Sequence, residues 1–211
     1  MSQNKKAREK ELIEKAKDGD RKAFGELVRS YHQKIYMLVF HMTHNTADAD
    51  DLTQEAFLRA YRGLKSFNQK SEFYTWLYRI AVNVTLNQIR KAKRRSTVSL
   101  SEEALPRRLK KDESAEDPRK QAEARQLYER VLKGLDDLSP ALRATLVLFS
   151  FQGLSHKDVA QVLGCAEGTV AWRISEARQQ LRRHLKRQKR GESHGKRDGV
   201  QGRETETLGR P

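Results

Sequence analysis

Aromatic and basic side chains alternate over residues 66–95 of the sequence. The faces of phenylalanine, tyrosine and tryptophan stack on unpaired nucleic-acid bases, and neighbouring lysine or arginine side chains hold the sugar–phosphate backbone. Asn83 and Asn87 lie one helical turn apart, on one face that can hydrogen-bond a base edge. This stretch therefore indicates a surface for unpaired bases. Its rings and nearby cations are Lys65, Phe67, Lys70, Phe73, Tyr74, Trp76, Tyr78, Arg79 and Arg90.

The same rings also have a structural interpretation. A helix must be anchored to its domain, so two of Phe73, Trp76 and Tyr78 are expected to fill a small helical core. Rings that stay accessible would grip extruded bases and partly offset the few kcal/mol that unstacking costs.

A second unit that could bind nucleic acid begins at Gly153. Ser155-x-x-Asp158 is a capping box that starts one helix, and Gly164 supplies a left-handed stop. A second helix is expected from about Glu167, after a short turn. This spacing is typical of a helix-turn-helix, whose second helix enters the major groove of DNA. An ordinary helical hairpin has the same apolar spacing and is the alternative.

The outward positions of that second helix carry side chains that can read bases or neutralise phosphates. Glutamate accepts a hydrogen bond from the cytosine amino group, and alanine or tryptophan can touch a thymine methyl. Arginines neutralise phosphates and make binding dependent on salt. Packing of Trp172 against the neighbouring helix is the alternative for that ring. The outward positions are Thr169, Ala171, Trp172, Ser175 and Glu176, and the cations are Arg173, Arg178, Arg182 and Arg183.

Acidic side chains are concentrated around Gln54. Three interpretations are open. The carboxylates could interact favourably with the helix dipole at the start of the helix, form a polar docking face for a protein partner, or bind a metal. Asp50 and Asp51 point apart, which disfavours a metal site, and His41-x-x-His44 lacks convergent further ligands for zinc. With no glycine-rich phosphate loop and no nucleophile–base arrangement, we predict no enzyme activity, no metal and no cofactor. The acids are Asp48, Asp50, Asp51 and Glu55.

Apolar residues recur at steps of three and four over most of the chain, which is the spacing of amphipathic helices. Strand-like alternation is absent from the sequence, so we predict an all-α fold without a sheet. Helix starts are expected at Asp20, near Thr46, at Ser71 and at Ser139-Pro140.

The helical pattern is interrupted by a polar, aperiodic segment, residues 96–125, which predicts a flexible linker. We therefore expect two small helical domains, over residues 1–95 and 126–187. A basic tail over residues 188–211 is expected to be disordered.

The composition limits the classes of function. The 211 residues carry 43 Lys and Arg against 28 Asp and Glu, a formal charge of +15 with a pI near 10.0. Such a surface attracts nucleic acid first and an anionic membrane surface second, or it merely keeps the protein soluble. The longest apolar run, Ile35–Phe40, is too short to span a membrane, and no secretory signal opens the chain. A single cysteine, Cys165, fits a reducing cytosol.

Two motifs resemble sigma factors. Asp50-Asp-Leu-Thr-Gln-Glu-Ala-Phe-Leu-Arg-Ala-Tyr61 and Phe73-Tyr-Thr-Trp-Leu-Tyr-Arg-Ile-Ala-Val-Asn83 resemble region two. Leu154-Ser-His-Lys-Asp-Val-Ala and Gly168-Thr-Val-Ala-Trp-Arg-Ile-Ser-Glu-Ala-Arg178 resemble region four. The spacing, with only a linker between the regions, is similar to that of the extracytoplasmic-function (ECF) group of the sigma-70 family. The resemblance covers residues 11–95 and 126–185.

The resemblance implies a role for each matching position. The family's Asp-Leu-x-Gln-Glu helix docks on the clamp helices of the RNA polymerase β′ subunit, a role that falls here to Asp51, Gln54 and Glu55. The Phe-Tyr-Thr-Trp loop and the helix after it recognise and open the minus-ten promoter element, with Asn83 on an extruded base of the non-template strand. The full minus-ten set is Phe67, Tyr74, Trp76, Arg79, Asn83, Asn87 and Arg90.

The region-four helix would read the minus-thirty-five element, chiefly through positions 171, 172, 175 and 176. Relatives often have Lys or Arg, then Ser, after Gly-Thr-Val, and frequently a basic residue at the position of Glu176. The docking mode is expected to be the same, and these departures leave open which bases the helix reads. The full minus-thirty-five set is Thr169, Ala171, Trp172, Arg173, Ser175, Glu176 and Arg178.

The resulting hypothesis is a cytoplasmic alternative sigma factor, without direct membrane insertion, that gives core polymerase promoter specificity and promotes strand opening. Its partners would be core polymerase, promoter DNA and an anti-sigma protein, which usually holds family members inactive. One alternative is a conventional helix-turn-helix regulator that binds duplex DNA without polymerase. Another is a basic RNA-binding or scaffold protein.

Overall fold

The computed structural model describes residues 3–95 and 118–198, and the side chains within 6–94 and 119–188. All regular elements in these ranges are helical, which confirms the predicted all-α class for the described part of the chain. They form two bundles that correspond to the two expected domains.

The first bundle has four helices, α1 (Gln3–Lys17), α2 (Arg21–Thr43), α3 (Thr46–Gly63) and α4 (Phe73–Arg95), with a 3-10 turn (Leu64–Ser66) after α3. The predicted cap at Asp20 is confirmed, because its carboxylate accepts a hydrogen bond from the backbone N–H of Lys22 at 2.8 Å. Helices α2 and α4 contribute fully buried side chains such as Ile35, Leu38 and Leu77. These packed apolar faces fix the direction in which α4 presents its polar face.

The second bundle contains α5 (Pro118–Asp136), α6 (Pro140–Leu146), a π-helical turn (Val147–Phe151), α7 (His156–Leu163) and α8 (Glu167–Asp198). The cap predicted at Ser139 is confirmed, since its hydroxyl accepts a hydrogen bond from Leu142 N–H at 3.4 Å. The left-handed stop at Gly164 is also confirmed, with φ of 63°. Helices α7 and α8 therefore form the expected helix-turn-helix.

Helix α5 begins at Pro118, so the prediction of a flexible linker over 96–125 is wrong for residues 118–125. Proline fits the first turn of a helix. The i,i+4 ion pairs Arg119–Glu123 (3.6 Å) and Arg125–Glu129 (3.2 Å) favour the helix further. This turn of α5 is exposed and lacks the apolar repeat that identified the other helices. Residues 96–117 lie outside the described residues.

Helix α8 continues to Asp198, so the prediction of disorder is wrong for residues 188–198. Arg130 of α5 donates hydrogen bonds to Gln188 Oε1 at 3.1 Å and to the Leu185 carbonyl at 3.2 Å. These polar contacts support α8 beyond the apolar stripe that the sequence shows. Residues 199–211 lie outside the described residues.

The two bundles lie against each other along a surface that we call the domain seam. It joins α2 and α4 of the first domain to α5, α6, α7 and the π-helical turn of the second. Tyr78 donates a hydrogen bond to Gln152 Oε1 at 2.9 Å, and Arg143 donates one to the Met42 carbonyl at 2.8 Å. The linker composition does not predict such a contact, because it marks only where the chain leaves one domain for the next.

Candidate nucleic-acid interface

The aromatic cluster begins in the loop that connects α3 to α4. Phe67 is 4% exposed, and its ring centroid lies 5.0 Å from that of Trp76 and 5.8 Å from that of Phe73. Phe73 and Tyr78 are buried, whereas Trp76 is only partly buried. The prediction that two of these three rings fill the core is therefore confirmed. Trp76 is the large ring that stays partly accessible above them.

Helix α1 holds this loop in place. Gln69 adopts a left-handed φ of 57° and hydrogen-bonds the carboxylate of Glu14. Lys6 forms an ion pair with Glu72 at 3.1 Å. These contacts, one near each end of α1, hold the loop against the first bundle. The sequence pattern gave α1 no role in the site.

A cavity of about 360 Å³ opens between this loop, α4 and α7. It combines one indole face with polar and cationic side chains, which suits a flat, hydrogen-bonding group such as a base. Its lining includes Ser66, Asn68, Lys70, Thr75, Trp76 and Arg79.

Further along α4 the predicted polar face is exposed. Asn83, Asn87 and Arg90 all reach solvent, and Arg90 donates a hydrogen bond to Asn87 Oδ1 at 3.3 Å. Tyr74, half-buried, stands near Tyr78 with ring centroids 6.4 Å apart. Trp76, Arg79 and the two asparagines thus lie along one side of α4, and Phe67 is buried beside the Trp76 ring.

The helix-turn-helix is built as the sequence predicts. Ser155 Oγ accepts a hydrogen bond from Asp158 N–H at 3.1 Å and donates one to Asp158 Oδ2 at 2.6 Å, which starts α7. Val170, Ile174 and Ala177 bury the inner face of α8. The outer face of α8 is consequently held toward solvent.

The positions on α8 that are predicted to read bases differ in exposure. Ala171 and Ser175 are exposed, and Trp172 is 62% exposed, so packing of its indole against a neighbouring helix is wrong. Arg178 is exposed, and its guanidinium lies 5.4 Å from the ring centroid of Phe149. The half-buried positions are Thr169, Arg173 and Glu176, whose carboxylate accepts a hydrogen bond from Gln180 at 2.7 Å.

The acidic face of α3 is accessible at Asp51 and Gln54, and half-buried at Glu55, which pairs with Arg59 at 2.6 Å. Beside it runs an apolar groove of about 620 Å³ between α2 and α3 that the sequence reasoning missed. The available signal was Leu58, a large apolar residue outside the apolar stripe of α3, which is 44% exposed. The groove is lined by Arg21, Phe24, Val28, His32, Asp50, Gln54, Phe57, Leu58 and Tyr61.

The two histidines at the end of α2 belong to the domain seam. His41 is 4% exposed, and its Nε2 lies 2.7 Å from the Tyr128 hydroxyl. Burial, together with the nearby His44, lowers the pKa of His41 to about 4. His44 pairs with Asp136 at 2.8 Å. Among the described residues, no group of three or more His, Cys, Asp or Glu is placed to hold a metal.

Comparison with known proteins identifies the family. The Sigma-70 region 2 family model matches residues 27–95, and the Sigma-70, region 4 model matches residues 128–181. The RNA polymerase sigma-H factor of Pseudomonas aeruginosa is 36% identical over 180 residues, covering 84% of this chain and 93% of the relative. The ECF RNA polymerase sigma-E factor of Escherichia coli (strain K12) is 37% identical over 177 residues, covering 81% and 90%. The chain belongs to the ECF sigma factors. In this sigma factor, region two spans most of α2 with α3 and α4, and region four runs from α5 into α8.

Solved structures agree with this assignment. The structure of CnrH in complex with the cytosolic domain of CnrY has a TM-score of 0.64 at 26% identity, covering 85% of this chain and 97% of the other. The sigma factor RpoE in complex with the anti-sigma factor NepR from Bartonella quintana has a TM-score of 0.63 at 25% identity, covering 78% and 98%. None of the helices in the described part of this sigma factor could span a lipid bilayer.

Proposed function

We propose that this sigma factor directs core RNA polymerase to promoters by reading one element as duplex and another as single strand. The observation that supports this proposal is that two separate exposed surfaces of the chain carry side chains suited to nucleic acid. Helix α8 offers an exposed reading face that includes Trp172, while α4 and its loop form a cavity beside Trp76 and Arg79. Two weak DNA-binding surfaces on one chain give a higher overall affinity for the promoter when both promoter elements are correctly spaced.

At the minus-ten element, we assign the cavity to an extruded base. Trp76 offers a partly accessible indole for stacking, and such stacking contributes ~1–3 kcal/mol per base, which offsets the cost of unstacking. Asn83 and Asn87 supply exposed amides for base edges, while Arg79 and Arg90 supply cations for phosphates. Tyr74 borders the same face. Because it is buried, Phe67 supports the loop rather than stacking on DNA.

At the minus-thirty-five element, α8 enters the major groove. Ala171, Trp172 and Ser175 are exposed near the start of the helix, which is where a recognition helix meets base edges. Glu176 suits a cytosine amino group on the same face. Thr169, Arg173 and Arg178 contact the sugar–phosphate backbone of the DNA and thereby position α8 in the groove.

Core polymerase binds the polar face of α3. Asp51 and Gln54 are exposed there, and Glu55 is held by Arg59 beside them. The apolar groove with Leu58 at its rim adds buried area to an otherwise polar contact. This docking face lies on α3, a different helix from the DNA surfaces on α4 and α8.

The sigma factor performs no catalysis of its own and acts in the cytoplasm, where its polymerase works. An anti-sigma protein holds it inactive. This part of the proposal is supported by two solved relatives, CnrH and RpoE, which were determined with CnrY and NepR.

The test is binding to core polymerase followed by run-off transcription. Asp51→Arg should lose core binding and transcription, because it reverses the charge of the docking face. Asp18→Arg makes the same charge change at an exposed turn residue far from that face in sequence, and should retain both. Equal behaviour of the two variants would contradict the assignment.

Permanganate footprinting of unpaired thymines tests strand opening. Wild-type holoenzyme should make minus-ten thymines reactive, and Trp76→Ala should reduce that reactivity more than it reduces core binding. A chain that binds its sites equally well without polymerase would instead be a conventional regulator. Comparable affinity for unrelated structured RNAs would indicate an RNA-binding protein.

A further inference from the structure

Helix α1 carries none of the residues assigned to DNA or to core polymerase, yet one of its faces lies against the loop between α3 and α4. Ile13 is buried on that face, so the helix is packed on the first bundle. Lys6 and Lys17 share the face of Ile13, at steps of seven and four residues. Lys6 pairs with Glu72 at the end of the loop, and Lys17 contacts Phe67 at its start. Helix α1 therefore contacts the loop at both of its ends.

Glu14, the neighbour of Ile13 on α1, binds the middle of the loop. The Gln69 side-chain amide donates a hydrogen bond to the Glu14 carboxylate. Lys17 Nζ lies 3.3 Å from the same carboxylate, which restricts its position. Gln69 has a φ of 57°, a left-handed conformation that is unfavourable for a residue with a Cβ. The hydrogen bond to α1 therefore favours a loop shape that Gln69 would not adopt by preference.

The conformation of Gln69 sets the direction of two side chains in the cavity beside Trp76. Asn68 and Lys70, on either side of Gln69, both line that cavity. The Lys70 N–H donates a hydrogen bond to Asn68 Oδ1 at 3.2 Å, which closes a turn around Gln69. A different φ at Gln69 would open this turn and move both lining residues. The shape of the cavity thus depends on a contact that lies outside it.

Lys17 contacts the first ring of the aromatic cluster. Its Nζ lies 5.8 Å from the ring centroid of Phe67, which is a cation–π contact, and its side chain is only 19% exposed. The Phe67 ring in turn packs against Trp76, with ring centroids 5.0 Å apart. Helix α1 is therefore connected to the accessible indole through one buried ring.

We propose that α1 positions the minus-ten surface: Glu14, acting through Gln69, and Lys17, acting through Phe67, hold the loop in the shape that accepts an extruded base. The proposal rests on the proposed function. Glu14 and Lys17 are assigned no contact with DNA, so they are positioning residues. Their loss lowers the fraction of chains whose loop has the accepting shape, and strand opening falls by that fraction. Binding to core polymerase and to minus-thirty-five duplex stays the same.

The first test is permanganate footprinting with holoenzyme on a promoter that the wild type transcribes. Glu14→Ala removes the acceptor of the Gln69 amide and should lower the ratio of reactive to unreactive minus-ten thymines about threefold, because a solvent-exposed hydrogen bond lies at the weak end of the usual range. Glu14→Gln keeps an acceptor oxygen without the charge and should restore the ratio. Glu11→Ala is the matched control, since Glu11 is exposed on the same helix and pairs with Lys15 at 2.6 Å instead of with the loop. Binding to core polymerase, measured in parallel, should be equal in all these proteins.

The second test asks whether Glu14 and Gln69 act through one bond. Gln69→Asn keeps a side chain that tolerates the left-handed conformation but is one methylene too short to reach Glu14. It should lower the permanganate ratio as much as Glu14→Ala does. The double variant Glu14→Ala, Gln69→Asn should be no worse than either single variant, because the same hydrogen bond is lost in all three.

The third test reports on the Trp76 ring in the free chain and needs no promoter. The chain has two tryptophans, so a Trp172→Phe background leaves Trp76 as the only emitter. Acrylamide should quench its fluorescence more strongly in Glu14→Ala and in Lys17→Gln, which loses the cation over Phe67. Glu14→Gln and Glu11→Ala should be quenched as the wild-type residue is.

The outcomes separate the two proposals. Equal opening and equal quenching in all variants, with normal run-off transcription, would overturn the positioning role and leave the proposed function intact. Failure of Glu14→Gln to rescue opening would indicate an effect of charge on the anionic DNA, and loss of core binding in Glu14→Ala would indicate a general role in folding; either result would also overturn it. Wild-type holoenzyme that leaves the minus-ten thymines unreactive would overturn the proposed function itself.

Discussion

Acidification is expected to weaken the packing of the two domains through one side chain, His41. Its ring is 4% exposed and lies between the Tyr128 hydroxyl and the ring of Phe151. Burial, and to a lesser extent His44, lowers its pKa from 6.5 to about 4. The other charged groups at this end of the seam are Asp136 and Arg143, which pair with each other at 3.1 Å. The packed chain therefore holds a neutral His41.

The size of the effect follows from the two pKa values. States that expose the ring bind a proton below pH 6.5, whereas the packed state stays neutral down to about pH 4. The free energy from packing is thus fully present above about pH 6.5 and is lost as the pH falls toward 4. Between about pH 7 and about pH 5 the expected loss is about 2 kcal/mol, at 1.36 kcal/mol per pKa unit.

Urea unfolding at the two pH values measures this loss. His41→Gln provides the control, because glutamine keeps a hydrogen-bond acceptor for Tyr128 and does not titrate. The wild-type free energy of unfolding should fall by about 2 kcal/mol more than that of the variant. All other titratable groups are common to both proteins and cancel in the difference. Parallel pH profiles for the two proteins would refute the reasoning.

Three further substitutions should affect stability and DNA binding separately. Gly134→Ala places a Cβ 2.4 Å from Leu181 Cδ1, where α5 crosses α8, and should therefore lower the free energy of unfolding by about 1–3 kcal/mol. Gly168→Ala is the control, because its Cβ meets open space and should leave the free energy of unfolding unchanged. Equal urea midpoints for the two variants would count against this prediction. Trp172→Ala should change the free energy of unfolding by no more than about 0.5 kcal/mol, because the indole is exposed. It should weaken binding of promoter duplex about tenfold in an anisotropy titration. Unchanged binding would show that the indole does not contact bases. Arg178→Gln should reduce the slope of log K against log salt by about 0.9 for all duplexes alike, and an effect limited to one sequence would contradict a phosphate contact.

Local sequence signals specify most of the helices. Asp20, Ser139 and Ser155 each stand at the cap that their type favours, and Gly164 takes the left-handed conformation that glycine permits. The first turns of α5 are exposed and have no apolar stripe, so nothing in their periodicity separates them from a linker. Their helicity depends on Pro118 and on i,i+4 ion pairs, which are weaker signals.

The sequence predicts which residues make up the candidate site better than it predicts which of their side chains are exposed. The aromatic cluster and the asparagines fall where the sequence predicts a base-binding face, yet only the packed structure distinguishes buried Phe67 from partly accessible Trp76. The domain seam is a contact between residues far apart in the chain, such as Tyr78 and Gln152. Such a contact depends on how two folded surfaces match, and no local pattern encodes it.

Helix α4 contributes to two surfaces at once, since Arg79 lines the cavity beside Trp76 and also donates a hydrogen bond to the carbonyl of Gln161. Chimeric sigma factors for synthetic gene circuits join halves of different relatives. Such a chimera would therefore receive α4 with only half of the interface between the two domains. A hybrid whose halves do not match would lose the hydrogen bonds that Tyr78 and Arg79 make across the domain seam. Orthogonal designs from this scaffold should treat α4 and α7 as a single exchangeable unit.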